Sequence, residues 1–203
     1  MEKKKQENTE LEILNAAKDV FQEKGMAGAR MQEIADKAGI NKALLHYYYR
    51  SKQLLFEATF KSAFSIMAPQ LNQVLNDDRE LFDKIRNFTE KYITFVMKHP
   101  YLPNFVIQEI NKNPEFVQKL KTEKNFPSID KFKIQVASAI EQGLIKPIDA
   151  EQLFINIISL NVFPFIGKPL LKGLINADEK MFQKILQDRT TEVADFIINA
   201  IKK

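Results

Sequence analysis

Apolar residues recur along this chain at intervals of three and four, the spacing that gathers side chains on one face of an α-helix. The first stripe is Ile13, Leu14, Ala17, Val20 and Phe21. Asn8 or Thr9 is placed to cap its start, the charged residues before position 8 are expected to fray, and Gly25 ends it. A second, shorter stripe of Met31, Ile34, Ala35 and Ala38 is closed by Gly39, which takes left-handed angles without a Cβ clash. Ile40 then plugs the core and Asn41 caps a third helix, on which Leu45 and Tyr49 share one face. Ala43 and Tyr47 stand opposite, flanked by Leu44 and His46. Ser51 caps a long fourth helix through Leu54, Leu55, Ala58, Phe64 and Met67, interrupted or ended near Pro69.

The remaining stripes are also helical. One runs from about Glu80 to His99 with Leu81, Ile85, Phe88, Tyr92, Phe95 and Val96, stopping before Pro100. Pro103 opens a short segment ending near Asn111, and residues from Pro114 to about Thr122 read as helix. Phe132, Val136, Ala139 and Ile140 form a stripe closed by Gly143. Asp149 and Gln152 make a capping box for a helix through Phe154, Ile157, Ile158 and Phe163. The last helix spans about Asp178 to Ile201. Alternating strand patterns are absent, so the expected fold class is all-α.

The stretch from Met31 to Lys52, MQEIADKAGINKALLHYYYRSK, is where chemistry enters. A helix, a tight turn and a second helix with Lys42 at its N-terminal edge have the shape of a unit that lays its second helix in a DNA major groove. From Lys24 to Lys52, the basic residues Lys24, Arg30, Lys37, Lys42, Arg50 and Lys52 stand against only Glu33 and Asp36. The plainer reading makes the tyrosines and leucines core, and helix-turn-helix shapes also occur in proteins that do not bind DNA. A helix this short cannot bury side chains all around.

Composition narrows the rest. The chain has 203 residues, 45% apolar, with a net charge of +4, so the basic character is local to the turn. It has no Cys and two His, His46 and His99, which leaves no thiolate or multi-His metal site and no disulfide. Neither a phosphate-binding glycine loop nor a nucleophile elbow is present, and no catalytic residue is assigned. No apolar run approaches the about 20 residues of a membrane span, and no signal h-region follows the charged start. The expectation is a cytoplasmic protein with no cofactor and no membrane partner.

From Ile13 to Phe56 the chain resembles the tetracycline-repressor (TetR) family of bacterial transcription regulators. The matching features are an amphipathic first helix ending in FQEKG, then EIADKAGI, a recognition helix ending in an aromatic cluster, and SKQLLF. The resemblance implies a three-helix DNA-binding head, residues 1–52, and a larger helical ligand-binding and dimerisation domain, residues 53–203. It implies that Lys42, Ala43, Leu44 and Tyr47 face bases, that Arg30, His46, Tyr48 and Lys52 reach phosphates, and that Gln32 reaches a base edge. Three residues depart from the family pattern. Arg30 stands where a hydroxyl N-cap is common, His46 where Tyr is common, and Leu44 where a small hydroxyl residue is frequent. A Leu at that place can touch a thymine methyl.

For the larger domain the resemblance implies a small apolar or amphipathic effector, with Phe60, Phe64, Met67, Phe88, Tyr92, Phe95, Phe105 and Phe132 as walls. Gln108 and Asn161, with Tyr92, are its polar groups; the alternative for each residue is ordinary core. It also implies a homodimer through the last two helices, about 149–166 and 178–201, presenting two heads to a near-palindromic operator. The expected function is a ligand-released transcriptional repressor. Two alternatives compete: a helical adaptor that has lost DNA binding, and an all-helical enzyme.

Overall fold

The computed structural model describes residues 2–100, 102–112, 114, 115, 118, 121 and 126–203. Ten helices are assigned among them: α1 (Glu2–Gly28), α2 (Met31–Lys37), α3 (Lys42–Tyr48), α4 (Lys52–Leu75), α5 (Leu81–Lys98), α6 (Leu102–Lys112), α7 (Asp130–Glu141), α8 (Ala150–Ile166), α9 (Lys168–Leu174) and α10 (Glu179–Ile201). The described residues contain no strand; Ile145 and Lys202 form one isolated bridge. The chain divides into two compact units, Met1–Ile66 and Met67–Lys203. The divide expected at 52/53 is where α4 begins.

In the first unit the predicted stripes are buried. Ile13, Ala17, Val20 and Phe21 of α1 close over Ile34 and Ala35 of α2, Leu45 of α3, and Leu55 and Phe56 of α4. Phe21 and Phe56 meet edge to face, centroids 4.9 Å apart. Two details correct the sequence expectation. Helix α1 begins at Glu2 and not at a cap on Asn8 or Thr9, because Glu, Lys and Gln are good helix formers and carry the helix outward. Gly25 does break it, at φ +64°, but one more turn follows to Gly28.

The second unit has a core contributed by the end of α4 and by α5, α7, α8 and α10, with Val74, Ile85, Phe88, Phe132, Ile157, Phe182, Leu186 and Ile197 among its buried members. Helix α4 continues through Pro69 to Leu75, so the proline removes one N–H without ending the helix. Buried Lys84 donates to the carbonyls of Leu75 (2.8 Å) and Asp77 (2.9 Å), closing the C-terminal end of α4. Asp149 caps α8 by accepting from the N–H of Gln152 at 2.8 Å, and Asp178 caps α10 by accepting from that of Met181 at 2.7 Å. Helix α9 was not legible as a separate stripe; it bends 80° from α8 at Gly167. The helix expected over 114–122 falls largely outside the described residues. Among those residues no single helix is long and apolar enough to cross a membrane.

Candidate nucleic-acid interface

The turn between α2 and α3 is built entirely from local bonds. Gly39, at φ +68°, donates to the carbonyl of Asp36 (3.1 Å), and Ile40 donates to that of Ala35 (3.0 Å), the two bonds of a Schellman end. Two residues on, the Asn41 side chain accepts from the N–H of Leu44 at 2.8 Å and starts α3. Arg30 occupies the N-cap position of α2 and makes no capping bond with its side chain, as its chemistry requires.

A seven-residue helix is too short to hold itself in water, so tertiary contacts must fix α3. Leu45 is fully buried and Tyr49, which ends the helix, is 8% exposed. The Tyr49 hydroxyl donates to Glu10 Oε1 of α1 at 2.9 Å, and burial, followed by that bond, pushes its pKa up. This anchor was not anticipated from the sequence; a Tyr on an otherwise apolar inward face was the available signal. With these two residues inside, Lys42, Ala43, Leu44, His46 and Tyr47 are all exposed, Tyr47 to 74%. Tyr48 is half-buried and packs edge to face on Tyr47 with centroids 5.7 Å apart.

Ion pairs sort the basic residues of the head. Lys24 binds Glu33 at 2.5 Å, a contact that raises the Lys24 pKa, and Lys37 binds Asp19 at 3.2 Å. Those charges are locally neutralised. Arg30, Lys42 and Arg50 are exposed and have no ion-pair partner among the described residues. Arg50, counted in the basic excess of the sequence but given no role there, stands two residues past the end of α3. Gln32 is exposed and donates to Asp36 Oδ1 at 2.7 Å, a bond it must break to reach a base.

Lys52 is more than a free charge. From the first turn of α4 its ammonium donates to the carbonyls of Ala27 (3.2 Å) and Ala29 (3.1 Å), which end α1. Two of its three donors are thus in use and one remains.

The residues expected to wall an effector site are placed more variously. Phe60 and Phe64 of α4 are buried in the first unit and stack at 6.4 Å. In the second unit Phe88 stacks on Tyr92 at 5.7 Å, both buried, and Phe105 and Phe132 are buried too. Phe95 is half-buried, Gln108 is exposed, and the side chain of Met67 lies outside the described residues. Asn161 is fully buried: it donates to the carbonyl of Ile157 (2.8 Å) and to Thr89 Oγ1 (3.4 Å), and its own Oδ1 has no partner. Two grooves in this unit, of about 480 and 290 Å³, are lined by other residues, the larger by Leu81, Phe82 and Gln135 among them.

Comparison with known proteins gives a consistent outcome. Residues 13–59 match the family described as bacterial regulatory proteins, tetR family. The HTH-type transcriptional regulator RutR of Escherichia coli K12 is 26% identical over 141 residues, which cover 70% of this chain and 66% of RutR. IcaR of Staphylococcus aureus strain Newman, a negative transcriptional regulator of the biofilm operon icaADBC, is 27% identical over 103 residues, 51% of this chain and 54% of IcaR. The crystal structure of a HlyIIR mutant protein superposes with a TM-score of 0.68 at 26% identity, covering 98% of this chain and 99% of that one. With the motif, the exposed face of α3 and these relatives in agreement, residues 13–59 carry the head of the tetR family of bacterial regulatory proteins, and the chain is similar over most of its length to transcriptional regulators of that kind.

Proposed function

We propose that this chain is a cytoplasmic transcriptional repressor that binds a near-palindromic operator as a homodimer and is released by a small apolar or amphipathic molecule. The observation that carries the DNA-binding part is the division of α3, with Leu45 and Tyr49 inside and Lys42, Ala43, Leu44, His46 and Tyr47 outside. Residues that can read base edges and touch phosphates line the outer side of a helix held rigidly from its inner side. Lys42, Ala43, Leu44 and Tyr47 face bases; Arg30, His46, Tyr48 and Lys52 serve phosphates, and Gln32 is placed for an edge contact once it leaves Asp36. Leu44, 37% exposed, favours a thymine methyl in the site.

The dimeric part is supported by apolar side chains left open on the last helices, Ile155 and Phe163 of α8 and Phe196 of α10, each at least 50% exposed. The effector part is supported by Asn161, whose buried Oδ1 has no partner and suits a ligand carrying one hydrogen-bond donor. An effector lowers operator affinity only as far as it prefers the conformation that binds DNA poorly. A ratio of about 5–150-fold, or about 1–3 kcal/mol, is usual for such coupling.

Titration of the protein into its own upstream intergenic DNA and into an unrelated duplex, by fluorescence anisotropy at two salt concentrations, tests the reading. Tight binding to the upstream duplex alone, with two subunits per site, is the expected result. Absence of binding to either duplex at low salt would overturn it and favour the adaptor.

A further inference from the structure

Pro164 lies inside α8 and has no N–H, so the carbonyl of Leu160, four residues earlier, lacks its helical donor. Arg189 of α10 supplies one: its guanidinium donates to that carbonyl at 2.5 Å. The bond holds a partly buried cation at the seam between the two helices, with its Nε buried and without a partner. Glu192, one turn further along α10, lines the same groove, yet the two make no ion pair within the chain. Asp188, on the other flank, is held by Lys184 at 2.9 Å. The guanidinium as a whole is only partly buried, and a carboxylate arriving from outside can meet its accessible nitrogens and offset part of the cost of holding the charge there.

The order of residues along α10 says what brings that carboxylate. Ile185, Arg189, Glu192 and Phe196 follow one another at helical spacings and fall within about 60° of one another around the axis. Phe182, Leu186, Val193 and Ile197, on the adjoining face, fill the core. The outer stripe therefore reads apolar, cation, anion, apolar, with Phe196 67% exposed at one end and Ile185 partly buried at the other. A two-fold axis crossing the helix midway between Arg189 and Glu192 maps this order onto its complement. It sets Ile185 against Phe196 and Arg189 against Glu192, each pair level with one another along the antiparallel helices.

We infer that this stripe is a self-complementary interface between two copies of the chain, in which Arg189 of each subunit pairs with Glu192 of the partner subunit. The inference rests on the dimeric reading above and adds the contact that sets register and partner identity. A different protein would need no such inverted order; a second copy does. Each pair also shields the guanidinium that closes the Pro164 gap, so association and the integrity of α8 support each other.

The test is a charge exchange followed by sedimentation equilibrium, with circular dichroism to confirm folding. Glu192→Arg places two cations together in its homodimer and Arg189→Glu places two anions together, so each alone should dimerise at least about tenfold more weakly than wild type. An equimolar mixture of the two variants regains both pairs and should associate to within a few-fold of wild type. Single variants that dimerise as wild type does, or a mixture that stays apart, would overturn the pairing while leaving the dimer. A wild-type chain that is monomeric at tens of micromolar would remove the dimeric reading itself. If Arg189→Glu fails to fold, Glu192→Arg alone decides: repulsion predicts tighter association as salt rises, and no salt response overturns the pairing.

Discussion

Lys52→Met separates two jobs that one ammonium performs. In the protein alone, the variant loses two charge-assisted bonds to the carbonyls of Ala27 and Ala29, at 3.2 and 3.1 Å, which join the start of α4 to the end of α1. Such bonds contribute about 1.5–3 kcal/mol each when shielded, but this side chain is only partly buried. Water can replace it at the carbonyls, and a total loss of about 1–2 kcal/mol follows. On DNA, the third donor faces a phosphate in the proposed complex, and each phosphate contact contributes about 0.9 to the slope of log affinity against log salt. Between 50 and 200 mM salt, a fourfold change, the ratio of wild-type to variant affinity should therefore shrink by about 3.5-fold. The loss should be the same on operator and unrelated duplex, because a phosphate carries no base information. Urea unfolding measures the first effect and anisotropy titrations at the two salts measure the second. Parallel salt dependences for wild type and Lys52→Met would refute the phosphate role and leave Lys52 as a clasp within the head.

Three further outcomes are expected. Lys42→Ala, at the exposed start of α3, should weaken operator binding by about 1–3 kcal/mol and narrow the gap between operator and random DNA, whereas a uniform loss across sequences would move Lys42 to the phosphate set. Leu45→Ala empties the one fully buried site of α3 and should cost about 2–5 kcal/mol in urea unfolding, with DNA binding lost in step; a small cost with binding kept would show that Tyr49 suffices. Glu179 accepts hydrogen bonds from Lys168, Lys172 and Gln183, in that order of effect, which lower its pKa from 4.5 to about 2. A carboxylate depressed in the fold adds stability that is complete above about 4.5 and lost as pH falls toward 2. Urea midpoints of Glu179→Gln should therefore fall less steeply than those of wild type across that window, and parallel acid limbs would count against the network.

The head was more legible than the body, for a physical reason. Its stops and starts are single residues with single meanings: Gly39 must end α2, and Asn41 and Ser51 have side chains that cap. Its inner face follows from helical period alone, which placed Leu45 and Tyr49 correctly. Contacts over long separations could not be read in this way. Nothing local to Tyr49 points to Glu10, and nothing local to Lys52 points to the end of α1. In the body an aromatic residue at core spacing looks the same whether it packs against another side chain or against a ligand, so Phe88, Tyr92 and Phe132 carried little information about a site. Asn161 differs in kind, because a polar side chain on an apolar helix asks for partners, and its Oδ1 has none. Helix α9 was missed because its Leu170 and Leu174 are exposed and trace no buried stripe.

The closed turn between α2 and α3 has a consequence for how such a protein changes over generations. Its glycine end, its asparagine cap and the inward pair Leu45 and Tyr49 carry the local architecture, and none of them belongs to the outward row. Replacements at Lys42, Ala43, Leu44, His46 and Tyr47 therefore fall on exposed positions, where substitutions usually shift stability by no more than about 0.5 kcal/mol. If those positions read DNA as proposed, a duplicated copy of the gene can explore new binding sequences through them one at a time, without passing through an unfolded intermediate sequence.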